Sequence, residues 1–203
     1  MIADPLSFFS RIAAILLCIA ILPIFIFIAM AILIDDGTPM LFRQWRVGQE
    51  GQDFRILKFR TMTRCPSAEA GSFEPGSSRR VTRVGGFLRK TKLDELPQLV
   101  NIVRGEMAWV GPRPEVRKWV DEFPEEWRKI HKLKPGITDP AAIVFRDEEE
   151  LLKASSDPEA LYRSKILPRK LDMYIKYAEN RDIWTDLKVV GQTIVAVVFS
   201  SRL

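Results

Sequence analysis

Residues 12–34 form an uncharged apolar run, and this run constrains the fold more than any other part of the sequence. About 20 apolar residues in a helix are enough to cross the hydrocarbon core of a bilayer. Pro23 lies at the midpoint of the run, where a proline removes a helical hydrogen bond and clashes with the preceding turn. The run therefore predicts a membrane-associated helix that is kinked or broken at Pro23.

Three interpretations of this run differ in where the chain goes after Pro23. A cleaved signal peptide is disfavoured, because the apolar run continues past a suitable cleavage site and Asp4 weakens the basic region expected before it. A single span fits the length. A re-entrant helix, which bends and returns to the same face, fits the charges, since Arg11 precedes the run and Arg43 and Arg46 follow it without a clear orientation bias.

The 203-residue chain has a formal net charge of +5, which suits anionic partners such as phosphates or an acidic lipid surface. Its length allows one modest domain with a small appendage. Basic residues are scattered and no recognition motif is present, so nucleic acid is not expected as a partner.

Cys18 and Cys65 form no disulfide framework, which indicates a reducing, cytosolic environment for the polar part. His131 has no second ligand nearby and is expected to be a solvated surface residue.

Two short runs, residues 40–47 and 54–62, combine apolar and basic side chains and flank a polar segment with two glycines. This pattern predicts a β-hairpin. In the second run Lys58 and Arg60 share one face, because side chains alternate along a strand. Two cations at the end of one face can bind an anion, but basic residues also protect a sheet edge from aggregation. The pattern leaves both interpretations open.

The remaining segments predict helices joined by turns. Residues 115–132 form an amphipathic helix that Pro124 kinks or divides. Residues 133–138 form a turn. Further helices are expected at residues 148–154 and 158–180, with their apolar stripes in the core. Together with the hairpin, these segments predict an α+β fold that is mainly helical.

Two segments have more than one interpretation. Residues 64–80 are rich in Gly, Ser and Pro and form a long loop, which is either a lid over a phosphate site or a floppy insertion. Residues 182–203 end in an apolar run that is too short to span a bilayer. This run lies in the membrane interface or packs against the N-terminal segment.

The central stretch, residues 86–115, contains the strongest candidates for chemistry. Asp94 and Glu95 are adjacent acids with basic residues on both sides. They are suited to chemistry on a phosphate, or they are ordinary acids at a helix N-terminus, where Thr91 is the expected N-cap and Pro97 fits the first turn. The pattern alone leaves both possibilities open.

Several motifs occur in one order along the chain: Phe42-Arg43-Gln44, Lys58-Phe59-Arg60-Thr61-Met62, Gly86-Phe87-Leu88-Arg89, Leu93-Asp94-Glu95-Leu96-Pro97-Gln98, Gly105-Glu106-Met107, Val110-Gly111-Pro112-Arg113-Pro114 and Leu133-Lys134-Pro135-Gly136-Ile137-Thr138. In this order they closely resemble the bacterial sugar transferase family. The small monotopic phosphoglycosyl transferases, such as those of bacterial protein glycosylation, are the members most similar to this chain. Asp139 and Ala108 are departures, because many members have Gly and Ser at these positions.

The resemblance implies two regions. Residues 1–36 would form a re-entrant membrane helix broken at Pro23, which favours re-entrance over a single span. Residues 37–203 would form a catalytic domain with interfacial amphipathic helices around an active site at the membrane surface. The protein would be monotopic and lie on the cytoplasmic face of the bacterial inner membrane.

The family's reaction moves a phosphosugar from a UDP-sugar to polyprenol phosphate and releases UMP. The resemblance implies Asp94 as the nucleophile that forms an aspartyl-phosphosugar intermediate, and Glu95 as a metal ligand or as the group that manages the acceptor's proton. Mg²⁺ held by both acids is the implied cofactor. An N-acetylated amino sugar such as diacetylbacillosamine is the implied sugar, and downstream glycosyltransferases are suggested partners. The implied phosphate-binding cations are Lys58, Arg60, Arg89 and Arg113.

Two alternatives remain open from the sequence. One is a non-catalytic, membrane-attached basic module that binds anionic lipid or a partner protein. The other keeps the enzyme but lets the lipid phosphate attack the donor directly, with Asp94 only holding the metal.

Overall fold

The computed structural model describes residues 5–64, 80–146 and 148–199, and within them the protein is mainly helical with two small sheets. The predicted mainly helical fold with a β-hairpin is confirmed. Residues 65–79, most of the predicted loop, lie outside the described residues. The lid over a phosphate site therefore stays a prediction. The division of the chain into two regions after residue 36 also stays a prediction.

The helices are α1 (Pro5–Ala20), α2 (Leu22–Asp36), α3 (Arg83–Thr91), α4 (Gln98–Arg104), α5 (Arg117–Glu122), α6 (Pro124–Ile130), α7 (Pro140–Val144), α8 (Glu148–Lys153), α9 (Pro158–Leu161), α10 (Leu167–Asn180) and α11 (Ile183–Phe199). The strands are β1 (Leu41–Val47), β2 (Asp53–Phe59), β3 (Ala108–Val110) and β4 (Gly136–Thr138). A π-helical turn, Tyr162–Ile166, joins α9 to α10.

The apolar N-terminal run is bent rather than straight. α1 and α2 meet at Ile21 with a bend of 60°. Pro23 lies in the first turn of α2, where its missing N–H costs no helical hydrogen bond, so the break falls slightly before the predicted position. Among the described helices none alone has the length and hydropathy to cross a membrane, but the bent pair has both when its halves are taken together.

Each half of the bent pair has one side anchored to the protein and another side exposed. Ala14 of α1 is fully buried and belongs to the same core cluster as Leu99 and Ile102 of α4. The outer side keeps large apolar residues exposed, such as Phe27 at 75% and Ile34 at 83%. An exposed apolar surface of this extent is typical of a face that contacts lipid or another protein.

The β-hairpin is held rigidly against α4. β1 and β2 pair in antiparallel fashion, with Leu41 opposite Phe59. The side chain of Asn101 in α4 accepts a hydrogen bond from the N–H of Leu57 at 3.0 Å and donates one to the carbonyl of Arg55 at 2.8 Å. The side chain of Asn101 takes the place of a further strand, so the middle of β2 is held by both β1 and α4.

A second sheet, which the sequence did not predict, joins β3 to β4 in parallel. The segment 133–138 therefore ends in a strand, and its prediction as a turn throughout was wrong. Two glycines allow the close approach. A Cβ atom on Gly111 would lie 2.3 Å from the carbonyl oxygen of Lys134, and one on Gly136 would lie 2.1 Å from the nitrogen of Gly111. The pairing was missed because it depends on a contact between segments far apart in the chain.

Most helix predictions are confirmed. Pro124 divides the segment after the central stretch into α5 and α6, and residues 148–154 and 158–180 contain α8, α9 and α10. The expectation of a solvated His131 was wrong. Its ring is half-buried and stacks on Trp127 at 5.0 Å, and burial lowers the pKa of His131 to about 4.

The C-terminal helix packs on the second sheet. Val189 of α11 shares a small buried cluster with Val110 of β3 and Tyr177 of α10. The main core lies beside this cluster, between α5, α6, α8 and α10. Its largest buried side chains are Trp119, Trp127, Tyr162, Leu171 and Tyr174. This core supports the elements that carry the candidate site.

Candidate active site

A tight turn presents the two adjacent acids. α3 ends at Thr91, and Lys92 adopts the left-handed conformation with φ of 59°. Asp94 and Glu95 then lie in a single 3₁₀ turn before α4 begins. The predicted N-cap was wrong, because the hydroxyl of Thr91 donates to carbonyls one turn earlier in α3. The turn places Glu95 in contact with Lys58 of the hairpin.

Glu95 is held between two cations from distant parts of the chain. Its Oε1 accepts hydrogen bonds from Lys58 Nζ at 2.7 Å and from Arg113 Nη2 at 2.6 Å. Burial by itself raises the pKa of Glu95, but the charges and hydrogen bonds of Arg113 and Lys58 outweigh it, so the pKa lies well below its usual range. Glu95 is therefore ionised and fixes the positions of both cations.

The pKa values of the two cations shift in opposite directions. Burial lowers the pKa of Lys58 below its ordinary value, although the charge of Glu95 opposes the shift. The carboxylate of Glu95 raises the pKa of Arg113 well above its ordinary value. Lys58 is thus the member of the group whose charge can change at alkaline pH.

Asp94 is buried and incompletely paired. It is 9% exposed, and in the described part of the chain its Oδ1 has no hydrogen-bond partner. Burial raises the pKa of Asp94, and the positive charge of Lys58 opposes this shift. A buried carboxylate oxygen without a donor is costly unless a ligand completes it. Asp94 therefore has a free oxygen that can react with or bind a substrate.

A second buried network, which the sequence analysis missed, lies beside the cations. The guanidinium of Arg46 donates to Gln44 Oε1 at 3.0 and 2.6 Å and to Glu115 Oε1 at 2.9 Å. Tyr162 donates to Glu115 Oε2 at 2.7 Å. The charges of Arg113 and Glu95 both affect the pKa of Arg46, whose net lowering comes first from burial. The available signal was strand alternation, which puts Gln44 and Arg46 on one face of β1. The pairing register then shows that Lys58 lies on the same face of the hairpin.

Asp139 is a further buried acid near Arg113. Its Oδ1 accepts from the N–H groups of Ala141 and Ala142 at 2.8 Å each and from Tyr174 at 3.2 Å. Burial raises the pKa of Asp139, and the charge of Arg113 opposes the shift. Asp139 thus acts as the N-cap of α7 and adds negative charge near Arg113.

The other two predicted phosphate-binding cations have different partners. Arg60 is 5% exposed, forms an ion pair with Asp36 at 3.1 Å, and donates to the carbonyls at the end of α2 and the turn that follows. Arg89 pairs with Glu149 of α8 at 2.5 Å. Among the described side chains, neither arginine forms a hydrogen bond or an ion pair with Asp94 or Glu95. The structure therefore brings Lys58 and Arg113 to the acidic pair and leaves Arg60 and Arg89 outside it.

The acids offer a small donor set for a metal. No group of three or more His, Cys, Asp or Glu side chains within the described ranges is arranged to hold a metal ion. Magnesium needs less than this, because it keeps several waters and binds one or two carboxylates together with substrate phosphates. The unpaired Oδ1 of Asp94 fits this role, and Glu95 has one oxygen that neither cation occupies.

Fold and site together define a mainly helical protein with a bent apolar helix pair and an acidic pair, one acid buried and one partly buried, set among cations. The sequence profile of the family described as "bacterial sugar transferase" matches residues 6–200. The chain belongs to this family.

Characterised and uncharacterised relatives support this assignment. The chain is 34% identical, over 95% of its length, to a UDP-N-acetylgalactosamine-undecaprenyl-phosphate N-acetylgalactosaminephosphotransferase of Aeromonas hydrophila, and it spans 44% of that relative. It is 35% identical, over 92% of its length, to a UDP-glucose:undecaprenyl-phosphate glucose-1-phosphate transferase of Caulobacter vibrioides and spans 67% of it. It is 32% identical, over 96% of its length, to the uncharacterized sugar transferase EpsL of Bacillus subtilis and spans 88% of it.

Proposed function

We propose that this protein transfers a phosphosugar from a UDP-sugar to a polyprenol phosphate in the membrane and releases UMP. The observation that carries the proposal is the buried, unpaired oxygen of Asp94 beside a glutamate that fixes Lys58 and Arg113. Family membership and the names of the relatives, which include UDP-sugars and undecaprenyl phosphate, support the reaction class.

In the first step an Asp94 oxygen attacks the donor phosphorus that bears the sugar. A bond forms between this oxygen and phosphorus, the bond from that phosphorus to the bridging oxygen breaks, and UMP leaves with the electron pair. A carboxylate and a diphosphate repel each other, so cations are needed as charge moves to the leaving group. Lys58 and Arg113 are held close to the nucleophile and supply that charge.

In the second step an oxygen of the polyprenol phosphate attacks the same phosphorus. The acyl phosphate bond breaks, Asp94 is regenerated as a carboxylate, and the polyprenol diphosphate sugar is released. Downstream glycosyltransferases would extend this product. The family resemblance also implies Arg89 as a phosphate ligand, but this role would require Arg89 to leave its ion pair with Glu149, which lies outside the acidic pair.

Glu95 has a positioning role in this proposal. Its Oε1 holds Lys58 and Arg113 at fixed distances, so the two cations are ordered before the donor arrives. Preorganised charges stabilise a transition state without reorganisation during the reaction. Mg²⁺, bound by the free oxygens of Asp94 and Glu95, would neutralise charge on the diphosphate.

The proposed location is the cytoplasmic face of the bacterial inner membrane, with α1 and α2 as a re-entrant, monotopic anchor. The 60° bend and the exposed apolar side of the pair support this arrangement. Arg60 also supports this arrangement. Its hydrogen bonds connect the end of α2 to the residue that follows β2, the strand that carries Lys58. The anchor would then fix the height of the active site relative to the lipid phosphate.

The proposed donor is a UDP-linked, N-acetylated amino sugar, for which diacetylbacillosamine is a specific candidate from the family resemblance. The Aeromonas relative is named for an N-acetylated amino sugar and the Caulobacter relative for glucose. A screen of UDP-sugars that monitors UMP release with a polyprenol phosphate acceptor would identify the sugar.

The test of the nucleophile uses a donor with a radiolabelled sugar and no acceptor. We expect the parent protein to retain label after denaturation and Asp94→Asn to retain none and to lose transfer activity. Asp172→Asn, at an exposed acid of α10, is the matched control and should behave as the parent. A fully active Asp94→Asn variant would refute the assignment.

Kinetics separate the remaining alternatives. Double-displacement chemistry gives ping-pong patterns when donor and acceptor are varied. Sequential kinetics would support direct attack by the lipid phosphate instead. Binding to vesicles without release of UMP from any UDP-sugar would support a non-catalytic basic module.

A further inference from the structure

A groove lies on the outer face of the β-hairpin, at the point where the chain leaves the bent helix pair. Its volume is about 580 Å³. Strand alternation separates this face from the one that carries Gln44, Arg46 and Lys58, so the groove is distinct from the candidate active site. The lining residues are Thr38, Pro39, Met40, Leu41, Arg43, Trp45 and Arg55.

Two arginines give the groove its positive charge. Arg43 lies opposite Leu57, and Arg55 lies opposite Trp45, so the two arginines are diagonal neighbours on one face. Both are exposed, and within the described residues neither forms an ion pair with a carboxylate. Two guanidinium groups from diagonal positions on one face are suited to one phosphate, which they can hold through several hydrogen bonds.

The rest of the groove is suited to the boundary of a bilayer. The guanidinium of Arg55 lies 4.6 Å from the ring centroid of Trp45, which is 46% exposed. Met40 and Leu41 are half-buried and pack against the cluster that contains part of α2. Tryptophan beside arginine is typical of the membrane interface, where the ring contacts apolar groups and the cation contacts headgroups.

We propose that this groove binds the phosphate headgroup of an anionic glycerophospholipid of the bilayer. The inference rests on the membrane placement proposed for α1 and α2, because α2 ends only a few residues before the groove. Arg43 and Arg55 contact the phosphate, while Trp45, Met40 and Leu41 contact the glycerol region. This contact would orient the hairpin, and with it the opposite face that carries Lys58, relative to the membrane surface.

The test uses the full-length protein in a neutral detergent, titrated with dihexanoyl phosphatidylglycerol and followed by tryptophan fluorescence. Dihexanoyl phosphatidylcholine and inorganic phosphate form the comparison arms. We expect saturable binding of phosphatidylglycerol and much weaker binding of the other two. Each basic residue near an anionic surface changes affinity by about fivefold, so Arg43→Gln with Arg55→Gln should weaken binding by about 25-fold.

Arg128→Gln is the matched control, because Arg128 is an exposed arginine of α6. It should bind phosphatidylglycerol as the parent does. Thermal melts of the double variant verify its folding, and a folded double variant with unchanged affinity would overturn the proposal. Equal binding of phosphatidylcholine would exclude recognition of charge, and equal binding of inorganic phosphate would make the groove a site for soluble anions.

Enzyme assays keep this proposal separate from the proposed reaction. With a detergent-solubilised acceptor, the double variant should release UMP at the parent rate, since its substitutions lie on the opposite face of the hairpin. A selective loss of activity toward the acceptor would assign the groove to the polyprenol phosphate and overturn the phospholipid assignment. If no UDP-sugar is a substrate, the proposed function fails while the lipid titration still gives its own answer.

Discussion

Glu95→Gln removes one negative charge from between two partly buried cations and keeps the shape of the side chain. At an effective dielectric constant near 20, unit charges separated by the 2.7 Å between Lys58 and Glu95 attract each other by roughly 6 kcal/mol. Desolvation cancels part of this attraction, and breaking a buried pair costs about 3–5 kcal/mol. Solvent screens the second pair because the side chain of Arg113 is 38% exposed. We therefore expect a loss of about 3 kcal/mol in the free energy of unfolding, at the lower end of that range.

Thermal unfolding in detergent, followed by intrinsic fluorescence, measures this loss. A domain of this size loses about 2–4 °C in Tm for each kcal/mol, so the expected decrease is roughly 6–12 °C. Glu125→Gln is the control, because Glu125 belongs to an exposed pair with Arg128 and should change Tm by less than about 2 °C. A Glu95→Gln variant that melts as the control does would show that the acid does not hold the cations.

The same variant has a defined pH dependence. Because the pKa of Glu95 is lowered on folding, its stabilisation is present above the ordinary glutamate pKa of about 4.3 and is lost as the pH falls through the folded-state value. The difference in Tm between the parent and Glu95→Gln should therefore be constant near neutral pH and shrink in acid. A difference that grows in acid would contradict the shift.

Three further predictions test the site and its support. The rate of UMP release should rise with pH as Asp94 becomes ionised, because burial raises the pKa of Asp94. The rate should fall in alkali as Lys58 loses its proton, because burial lowers the pKa of Lys58. If the fall in alkali is unchanged in Lys58→Arg, the assignment to Lys58 is refuted. Gly111→Ala should cost about 1–3 kcal/mol of stability by melting, because its Cβ would overlap the chain that precedes β4. Gly86→Ala, whose Cβ would have its nearest neighbour at 4.0 Å, is the matched control and should be neutral or stabilising by up to about 1 kcal/mol; equal melting temperatures of the two variants would contradict the steric argument. Tyr162→Phe removes the hydrogen bond to the carboxylate of Glu115 and should cost about 1.5–3 kcal/mol, measured by the same melts. An unchanged Tm would show that this bond adds no net stability.

Local patterns in the sequence predicted the elements that depend on neighbouring residues. The hairpin followed from alternation over residues 40–62, and the division of a later helix followed from the missing N–H of Pro124. Motif order identified the family and directed attention to Asp94 and Glu95. Alternation on β1 also puts Gln44 and Arg46 on one face, but only the pairing register of the hairpin places Lys58 on that face.

The partners of each charge were decided by the tertiary structure. Lys58 and Arg113 are 37 and 18 residues from Glu95, and only the packing of β2 and the turn after β3 brings them to one oxygen. Arg60 shares a strand face with Lys58 in the sequence pattern, yet the end of α2 lies close enough to take its guanidinium. The sequence contains 31 basic residues, and it does not show which of them pairs with a given acid. Pairing depends on distances of a few ångströms in space, and these exist only once the helices and strands have packed.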